Sequence, residues 1–573
     1  MDLSQVPHSK SSNCRERGEK KRERRGERRE ERRGEERRGE ERRGEERRAE
    51  TVLGQRRKTK EQTVYEMALL LRLGSQLSSC WSNFSILGVF LIVFTLLFDF
   101  MKRRRRWSRY PPGPVSLPFI GTMLCIDFNK PHHSFNQLHK KFGNIFNLQN
   151  CWTNMVVVNG YKAVKEALVH RSEDFADRPY FPMYEHLGYG EKSEGIVVAR
   201  YGHAWKELRK FTLSTLRNFG MGKKSLEERV TEEAGFLCAA VNAEGGHPFD
   251  LRFLVNNAVC NVICTTIYGE RFDYGDETFK KLLHLFENSL SEEAGFLPQL
   301  LNVVPILLRI PGVPQKVFRG QKAFMDFIDV LIEKHMKTWN PAEIRDFTDA
   351  FLKEMEKGKE AEKSGFNYNN LRLVTADLFS AGSETTSTTL RWALLYMLLH
   401  PEIQSKVQAE IDKVIGREQS PTMKDQVNMP YTSAVIHETQ RWGDIAPIGL
   451  PHMTYRDTEL QGFFIPKGTT IITNLSSVLK DEAVWEKPNE FYPEHFLDAN
   501  GQFVKPEAFL PFSAGRRVCL GEQLARMELF IFFTTLLQKF TFVLPKDQPR
   551  PREDGCFALT NSPYPFLVQA IPR

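Results

Sequence analysis

The stretch Phe512-Ser-Ala-Gly-Arg-Arg-Val-Cys-Leu-Gly521, entered through Pro511 and followed by the apolar helical run Glu522 to Phe540, restricts this chain more than any other feature. Gly515 and Gly521 have no Cβ, so the backbone there can turn tightly and come close to a flat ligand. Cys519 stands just before the helix, where unpaired N–H groups and the helix dipole favour thiolate over thiol. Arg517 adds a positive charge two residues away. A buried structural cysteine is the competing reading of a free Cys. Phe512, Gly515, Arg517, Cys519 and Gly521 together are too specific a set for that reading, and the stretch is read as a metal-thiolate loop.

The loop resembles the haem-binding sequence of the cytochrome P-450 superfamily, F-x-x-G-x-R-x-C-x-G. The resemblance implies that Cys519 is the proximal thiolate on the iron of haem b, with Phe512, Arg517 and Gly521 against the cofactor. A thiolate ligand pushes electron density toward iron and favours O–O cleavage. The fold implied is mainly α with small β-sheets, an α+β arrangement.

Charge is distributed unevenly. Residues 1 to 60 hold 22 Lys+Arg and 14 Asp+Glu and so carry all of the formal +8, while the rest of the chain is balanced. A balanced body is not a polycation built for nucleic acid, and no nucleic-acid partner is expected. The nine cysteines, at 14, 80, 125, 151, 238, 260, 264, 519 and 556, form no regular framework and no C-x-x-C pair. That pattern points to a reducing compartment rather than a disulfide scaffold or zinc site.

Residues 1–66 are Arg-, Glu- and Gly-rich, with Gly-Glu-Glu-Arg-Arg repeating from Gly34, Gly39 and Gly44. Glycine every five residues costs a helix about 1 kcal/mol each time and nothing apolar offsets it, so a disordered upstream extension is expected. Residues 67–106 read as a signal anchor. Trp81 to Met101 is apolar with one acid, Asp99, and meets the ~20 residues needed to span a bilayer. The basic block Lys102 to Arg106 follows at once, which holds the C-terminal side in the cytoplasm. Without a small-residue cleavage site after it, the run is an uncleaved anchor rather than a signal peptide. Residues 107–118 are a proline-rich, stiff, extended connector, and 119–573 read as one catalytic unit.

Within that unit, Phe146 to Val158 alternates as a small sheet would. Phe296 to Val313 is apolar but broken by three prolines, as suits a core loop with short helices or a surface patch at a bilayer. In Trp205-Lys-Glu-Leu-Arg209, Trp and Arg share one helix face. The resemblance makes Trp205 and Arg209 haem-propionate ligands, together with Arg178, His452 and Arg517. Arginine suits that role because its fork grips a carboxylate with two hydrogen bonds and keeps its charge.

Leu371 to His400 is a long helical pattern with Ala381-Gly-Ser-Glu-Thr385 at its centre. Polar and β-branched residues are locally costly in a buried helix. A site explains them: Ala381 and Gly382 leave room for a ligand, and the Thr385 hydroxyl can bond back to a carbonyl and open the helix. Glu384 and Thr385 are the acid and alcohol that can relay protons during oxygen activation. This stretch resembles the superfamily's A-G-x-[DE]-T. Glu438-Thr-Gln-Arg441 fits its E-x-x-R, with Glu438 and Arg441 a buried structural pair completed by His495. Phe557 to Pro563 matches the last loop lining the substrate cavity.

The fullest resemblance is to microsomal family 2, and within it to the J-type arachidonate epoxygenases, through Trp205 to Phe211, Leu216 to Gly220 and Asp346 to Phe351. It implies a monooxygenase of the endoplasmic reticulum membrane with its catalytic domain facing the cytoplasm. The substrates implied are lipophilic small molecules, polyunsaturated fatty acids first and xenobiotics second. No dinucleotide fingerprint is present, so electrons must come from a partner. NADPH-cytochrome P-450 reductase is expected, docking near Lys206, Lys210 and Arg516, with cytochrome b5 a second candidate donor. A haem-thiolate isomerase or lyase acting on lipid peroxides, and a membrane-tethered haem protein without turnover, are the alternatives.

Overall fold

The computed structural model of the protein describes residues 64–72, 85–99, 101, 109–186, 194–220, 224–293, 296–357 and 365–573. The expected disordered extension falls outside them except for 64–66. The chain divides after Phe98 into two units, each taken by itself below.

The first unit contributes helices at 64–72 and 85–99. Along the second, Phe90, Phe94 and Phe98 stack at 6.4 and 6.5 Å, as residues four apart on one face must. At 1.5 Å per residue the described part of this helix, 85–99, accounts for about 22 Å. Among the described residues no helix is long and apolar enough to cross a membrane. Of the expected span Trp81 to Met101, residues 81–84 and 100 lie outside the described ones.

The second unit is mainly helical, with one four-stranded sheet and three two-stranded ones. Its central helix is Tyr368–Leu399, started by Asn367, whose side chain accepts the Asn370 amide. The helix Leu251–Tyr268 begins on the Asp250 side chain and stops at Gly269 in the left-handed region. These two helices touch where a Cβ on Gly382 would lie 2.6 Å from Ile263 Cδ1. Gly382 thus lets these two helices pack closely. The helix Glu522–Lys539 buries Leu524, Phe530, Phe532, Phe533 and Leu536 against Lys224–Ala243 and the central helix.

The expected strand region resolves into a hairpin, Ile145–Asn150 paired antiparallel with Thr153–Val158. Thr153–Val158 then pairs parallel with Thr470–Thr473, which pairs antiparallel with His452–Met453. This sheet sets the position of His452. The proline-rich connector is docked rather than free: the Asn147 amide donates to the Pro112 carbonyl at 2.7 Å, and a Cβ on Gly113 would strike the Asn147 carbonyl. Phe296 to Val313 folds as helix Phe296–Val303 and the 3-10 turn Pro305–Arg309. It buries Leu301 and Leu308 while leaving Leu297, Ile306 and Ile310 exposed.

One buried ionic cluster ties the helix Arg319–Lys337 to the start of the helix Phe347–Lys357. His335 Nε2 lies 2.9 Å from both Asp346 Oδ2 and Asp349 Oδ1. Arg345 donates to both oxygens of Asp349 and stands 3.2 Å from the same imidazole nitrogen. The Arg345 guanidinium thus brings a cation to the Asp349 carboxylate within the cluster. Phe211 packs on Phe347, Phe351 and Phe366 beside it.

Candidate functional site

Gly515 opens the thiolate loop with φ 74°, and a Cβ there would sit 1.7 Å from the Leu168 carbonyl oxygen. Its glycine is required by the protein's own backbone. Gly521 differs: a Cβ would meet nothing within 4 Å, so the space above it is open to a flat group. Between them the Cys519 amide donates to the Phe512 carbonyl at 3.0 Å, and the Phe512 ring packs under the Arg526 guanidinium. The Cys519 side chain is accessible by surface area although it lies deep in the protein. Both hold for a sulfur facing an internal space. Burial pushes the thiol up, outweighing the Gly521 and Glu522 amides and the Arg209 charge that pull it down. The helix-dipole expectation is met in direction but overruled by desolvation; a bound metal cation reverses that balance.

Around this sulfur stands a cage of cations. Arg517 donates to the carbonyls of Ala176 (2.8 Å), Ile196 (3.2 Å) and Ala199 (2.6 Å), with its guanidinium 3.9 Å from the Trp205 ring centroid. Arg178 donates to the carbonyls of Val197, Leu450 and Pro451. Arg209, one turn after Trp205 on the helix His203–Asn218, donates to the Val518 carbonyl. Burial first, then mutual repulsion, pushes Arg178 down to about 10 and Arg517 down to about 8, and burial lowers Arg209. The nearby acid, Asp177, is committed to Arg200 at 2.6 Å and to the amides of Arg178 and Tyr201. Among the described residues these three guanidiniums therefore have no carboxylate partner. A buried, unpaired cation is expensive unless an anion joins it, and a flat group bearing two carboxylates fits this donor set.

Two expected ligands behave differently. The Trp205 indole N–H is already given to the Ile196 carbonyl at 3.1 Å. His452 donates from Nδ1 to the Phe175 carbonyl at 2.8 Å, and burial followed by Arg178 and Arg517 drives its pKa well down. Its Nε2 is then a bare acceptor that can grip a carboxylate only after taking up a proton.

On the central helix, Ala381 and Thr385 are exposed within an otherwise buried stretch, one turn apart on one face. Thr385 Oγ1 bonds back to the Ala381 carbonyl at 2.8 Å as expected, but the helix stays continuous and does not open. Glu384 points elsewhere than expected. Its Oε1 accepts from Thr560 at 2.7 Å and Thr388 at 3.2 Å, and burial raises its pKa.

Glu438 and Arg441, both fully buried on the helix Pro430–Gly443, form two bonds of 2.7 Å. Arg441 also donates to the carbonyls of Leu479, Pro488 and Glu490. His495 Nε2 accepts the Lys487 amide at 3.0 Å, so its proton sits on Nδ1, 3.3 Å from Glu438 Oε2.

Sequence reasoning missed Asp377. Its Oδ2 accepts the amides of Ile196 (2.8 Å) and Val197 (3.0 Å), and burial pushes its carboxyl up to about 6. The carbonyls of those two residues hold Trp205, Arg517 and Arg178, so Asp377 clamps the segment on which the cation cage rests. The signal was a lone acid inside the apolar run Leu373 to Phe379.

The sequence matches the family described as Cytochrome P450 over residues 111–569. It is 59% identical to "Cytochrome P450 2D14" of Bos taurus over 489 residues, covering 85% of this chain and 98% of the relative. It is likewise 59% identical to "Cytochrome P450 2D6" of Homo sapiens, and 57% identical to "Cytochrome P450 2D3" of Rattus norvegicus, with the same coverage. These 2D relatives correct the J-type likeness. The segments that suggested it serve shared structural needs: Trp205 and Arg209 belong to the cation cage, while Asp346, Phe347, Asp349 and Phe351 belong to the His335 cluster and its aromatic packing. None of them reports on the substrate.

Proposed function

The chain belongs to the cytochrome P450 family, a haem-thiolate monooxygenase, and on that premise we propose that it inserts one oxygen atom of O2 into lipophilic small molecules at the endoplasmic reticulum membrane. The observation that carries this reading is the accessible Cys519 sulfur beside the buried guanidiniums of Arg178 and Arg517 and the half-buried one of Arg209, none with an acid partner. Cys519 would hold the iron, and Arg178, Arg209 and Arg517, with protonated His452, would hold the propionates. Haem b, when bound, supplies the iron at which O2 is activated. The chain's own residues orient it, exclude water and deliver protons. Ala381 and Thr385 face the substrate space, Thr385 with a hydroxyl, and Glu384 is the nearby carboxyl kept high in pKa for donation.

Electrons come from NADPH-cytochrome P-450 reductase, with cytochrome b5 as a further donor, at the face where Lys206, Lys210 and Arg516 are exposed. Lys206 and Arg516 both lie over the Tyr201 ring, which gathers their charge beside the thiolate loop. The basic run 102–106 after the apolar run 85–99 favours a cytoplasmic catalytic unit. With the J-type likeness removed, fatty acids lose their priority, and xenobiotic molecules and polyunsaturated fatty acids stand as equal substrate classes.

The test is a reduced, CO-bound difference spectrum, then incubation with reductase, NADPH and a panel of both classes. Products one oxygen heavier and dependent on NADPH are expected; thiolate ligation without any such product would overturn the reading. Asp377→Ala checks the cage. Each amide it orphans costs about 1–3 kcal/mol, so haem retention in dilution assays is expected to fall at least about tenfold, while unchanged retention would show that the 195–197 segment holds without its clamp.

A further inference from the structure

Three hydroxyls converge on one oxygen of Glu384. Thr560 donates to Oε1 at 2.7 Å, Thr388 at 3.2 Å and Ser562 at 3.5 Å. The hydroxyls also touch one another, Thr388 to Ser562 at 3.3 Å and Thr560 to Ser562 at 3.2 Å. Thr388 and Glu384 come from the central helix, whereas Thr560 and Ser562 come from the C-terminal hairpin of Gly555–Phe557 and Asn561–Pro563. The hairpin is fastened on both sides of these hydroxyls. Trp392 Nε1 donates to the Asn561 carbonyl at 2.8 Å, Arg391 to the Pro563 carbonyl at 3.1 Å, and the Asn561 side chain to the Gly443 carbonyl at 2.9 Å. Every described hydrogen bond to the Glu384 carboxyl ends on Oε1, and Oε2 is not among the buried unpartnered atoms, so Oε2 is the accessible oxygen.

We propose that Thr560 and Ser562 are positioning residues for the monooxygenase reaction, anchoring Glu384 through Oε1 so that Oε2 alone exchanges protons with the substrate space. This rests on the reading of Glu384 as a proton-delivering carboxyl. The anchored oxygen has its lone pairs occupied by donors, which leaves the proton of the neutral carboxyl on Oε2. A proton leaving Oε2 breaks that O–H bond and passes to a water or hydroxyl in the space. Water then returns one, so the carboxyl ends as it began. Thr560 and Thr388 also favour the ionised form and oppose the burial that raises the pKa, keeping the carboxyl able to cycle. The other groups facing it are Arg391 on its own helix, Glu287 on the helix Glu277–Glu293 and the Cys260 thiol on Leu251–Tyr268.

The test uses the full-length haem-loaded enzyme with reductase and reads product formed per NADPH consumed across pH. Thr560→Val keeps the shape and removes the hydroxyl. Coupling is expected to fall on the order of threefold to tenfold, as for loss of one ordinary hydrogen bond. The alkaline limb of its pH profile should move upward, because a donor favouring the ionised carboxyl is gone and the proton-donating neutral form persists to higher pH. Haem content, CO-bound spectrum and melting temperature should stay at the parent values, and Thr560→Ser should restore coupling. Ser562→Ala should give a smaller effect of the same sign, and it serves alone if Thr560→Val folds poorly. In a Glu384→Gln background Thr560→Val should add nothing. If Glu384→Gln uncouples while both hydroxyl variants retain parental coupling and pH profile, the proposal is overturned. Equal uncoupling by Thr560→Val in the Glu384→Gln background would overturn it too, since the hydroxyl then acts on something other than that carboxyl. Parental coupling in Glu384→Gln itself would instead remove the reading on which the proposal rests.

Discussion

Replacing Arg441 by leucine is expected to leave almost no folded, haem-loaded protein. The side chain is fully buried, makes both of its carboxylate bonds to a fully buried Glu438, and serves the carbonyls of Leu479, Pro488 and Glu490 as well. Leucine fills part of the volume but supplies none of these donors. Glu438 would then keep its charge among buried groups with only the Tyr492 amide and the His495 Nδ1–H as donors. Breaking a buried pair from one side costs about 3 to 5 kcal/mol. A domain's whole stability is about 5 to 15 kcal/mol, so the loss is large enough to unfold the unit. Arg441→Lys should fare only slightly better, because one ammonium cannot reproduce a fork reaching five acceptors. Soluble yield and the denaturant midpoint measure this. A midpoint at the parent value for Arg441→Leu would mean that Glu438 finds water or another partner.

What the sequence disclosed follows from how far chemistry dictates residue type. A thiolate ligand needs a cysteine and a carboxylate-gripping set needs arginines, so Cys519, Arg178, Arg209 and Arg517 could be singled out as candidates before any coordinates. Position within a turn was legible too: Ala381 and Thr385 do share the exposed face their spacing dictates. What a small residue is small for was not. Gly515 and Gly382 both needed to lack a Cβ, but the neighbours are Leu168 and Ile263 of the protein itself, and only Gly521 faces open space. Nor does spacing show where a side chain finds its partner. Glu384 adjoins Thr385 in sequence yet lies about 100° around the helix, and its donors arrive from a hairpin 176 residues away. Asp377 was missed because its partners are backbone amides, which carry no residue identity to read. Subfamily was misjudged for a related reason: the segments that suggested it include residues of the cation cage and of the His335 cluster, which are under structural constraint.

Cys519→Ala is expected to separate binding of the cofactor from its chemistry. The loop's shape does not depend on the sulfur. Its turn is held by the Cys519 amide on the Phe512 carbonyl, by Arg209 on the Val518 carbonyl and by the seat of Gly515 against Leu168. Loss of an accessible thiol therefore leaves no cavity of consequence, and the variant is expected to fold with a melting temperature near that of the parent protein compared in the haem-free state. Haem should still be drawn in, because Arg178, Arg209 and Arg517 remain without acid partners and gain from a dianionic group whatever sits at position 519. Its retention should weaken, since the bond from sulfur to iron is gone. Turnover should fall by at least about a thousandfold, the scale seen when an indispensable catalytic group is removed, and the CO-bound spectrum should lose the form given by a thiolate ligand. Haem-to-protein ratio, spectrum and product formation measured on one preparation make the comparison direct. Product formation within tenfold of the parent would place the iron ligand elsewhere. Complete failure to take up haem would show instead that the cation cage cannot hold the cofactor without the sulfur.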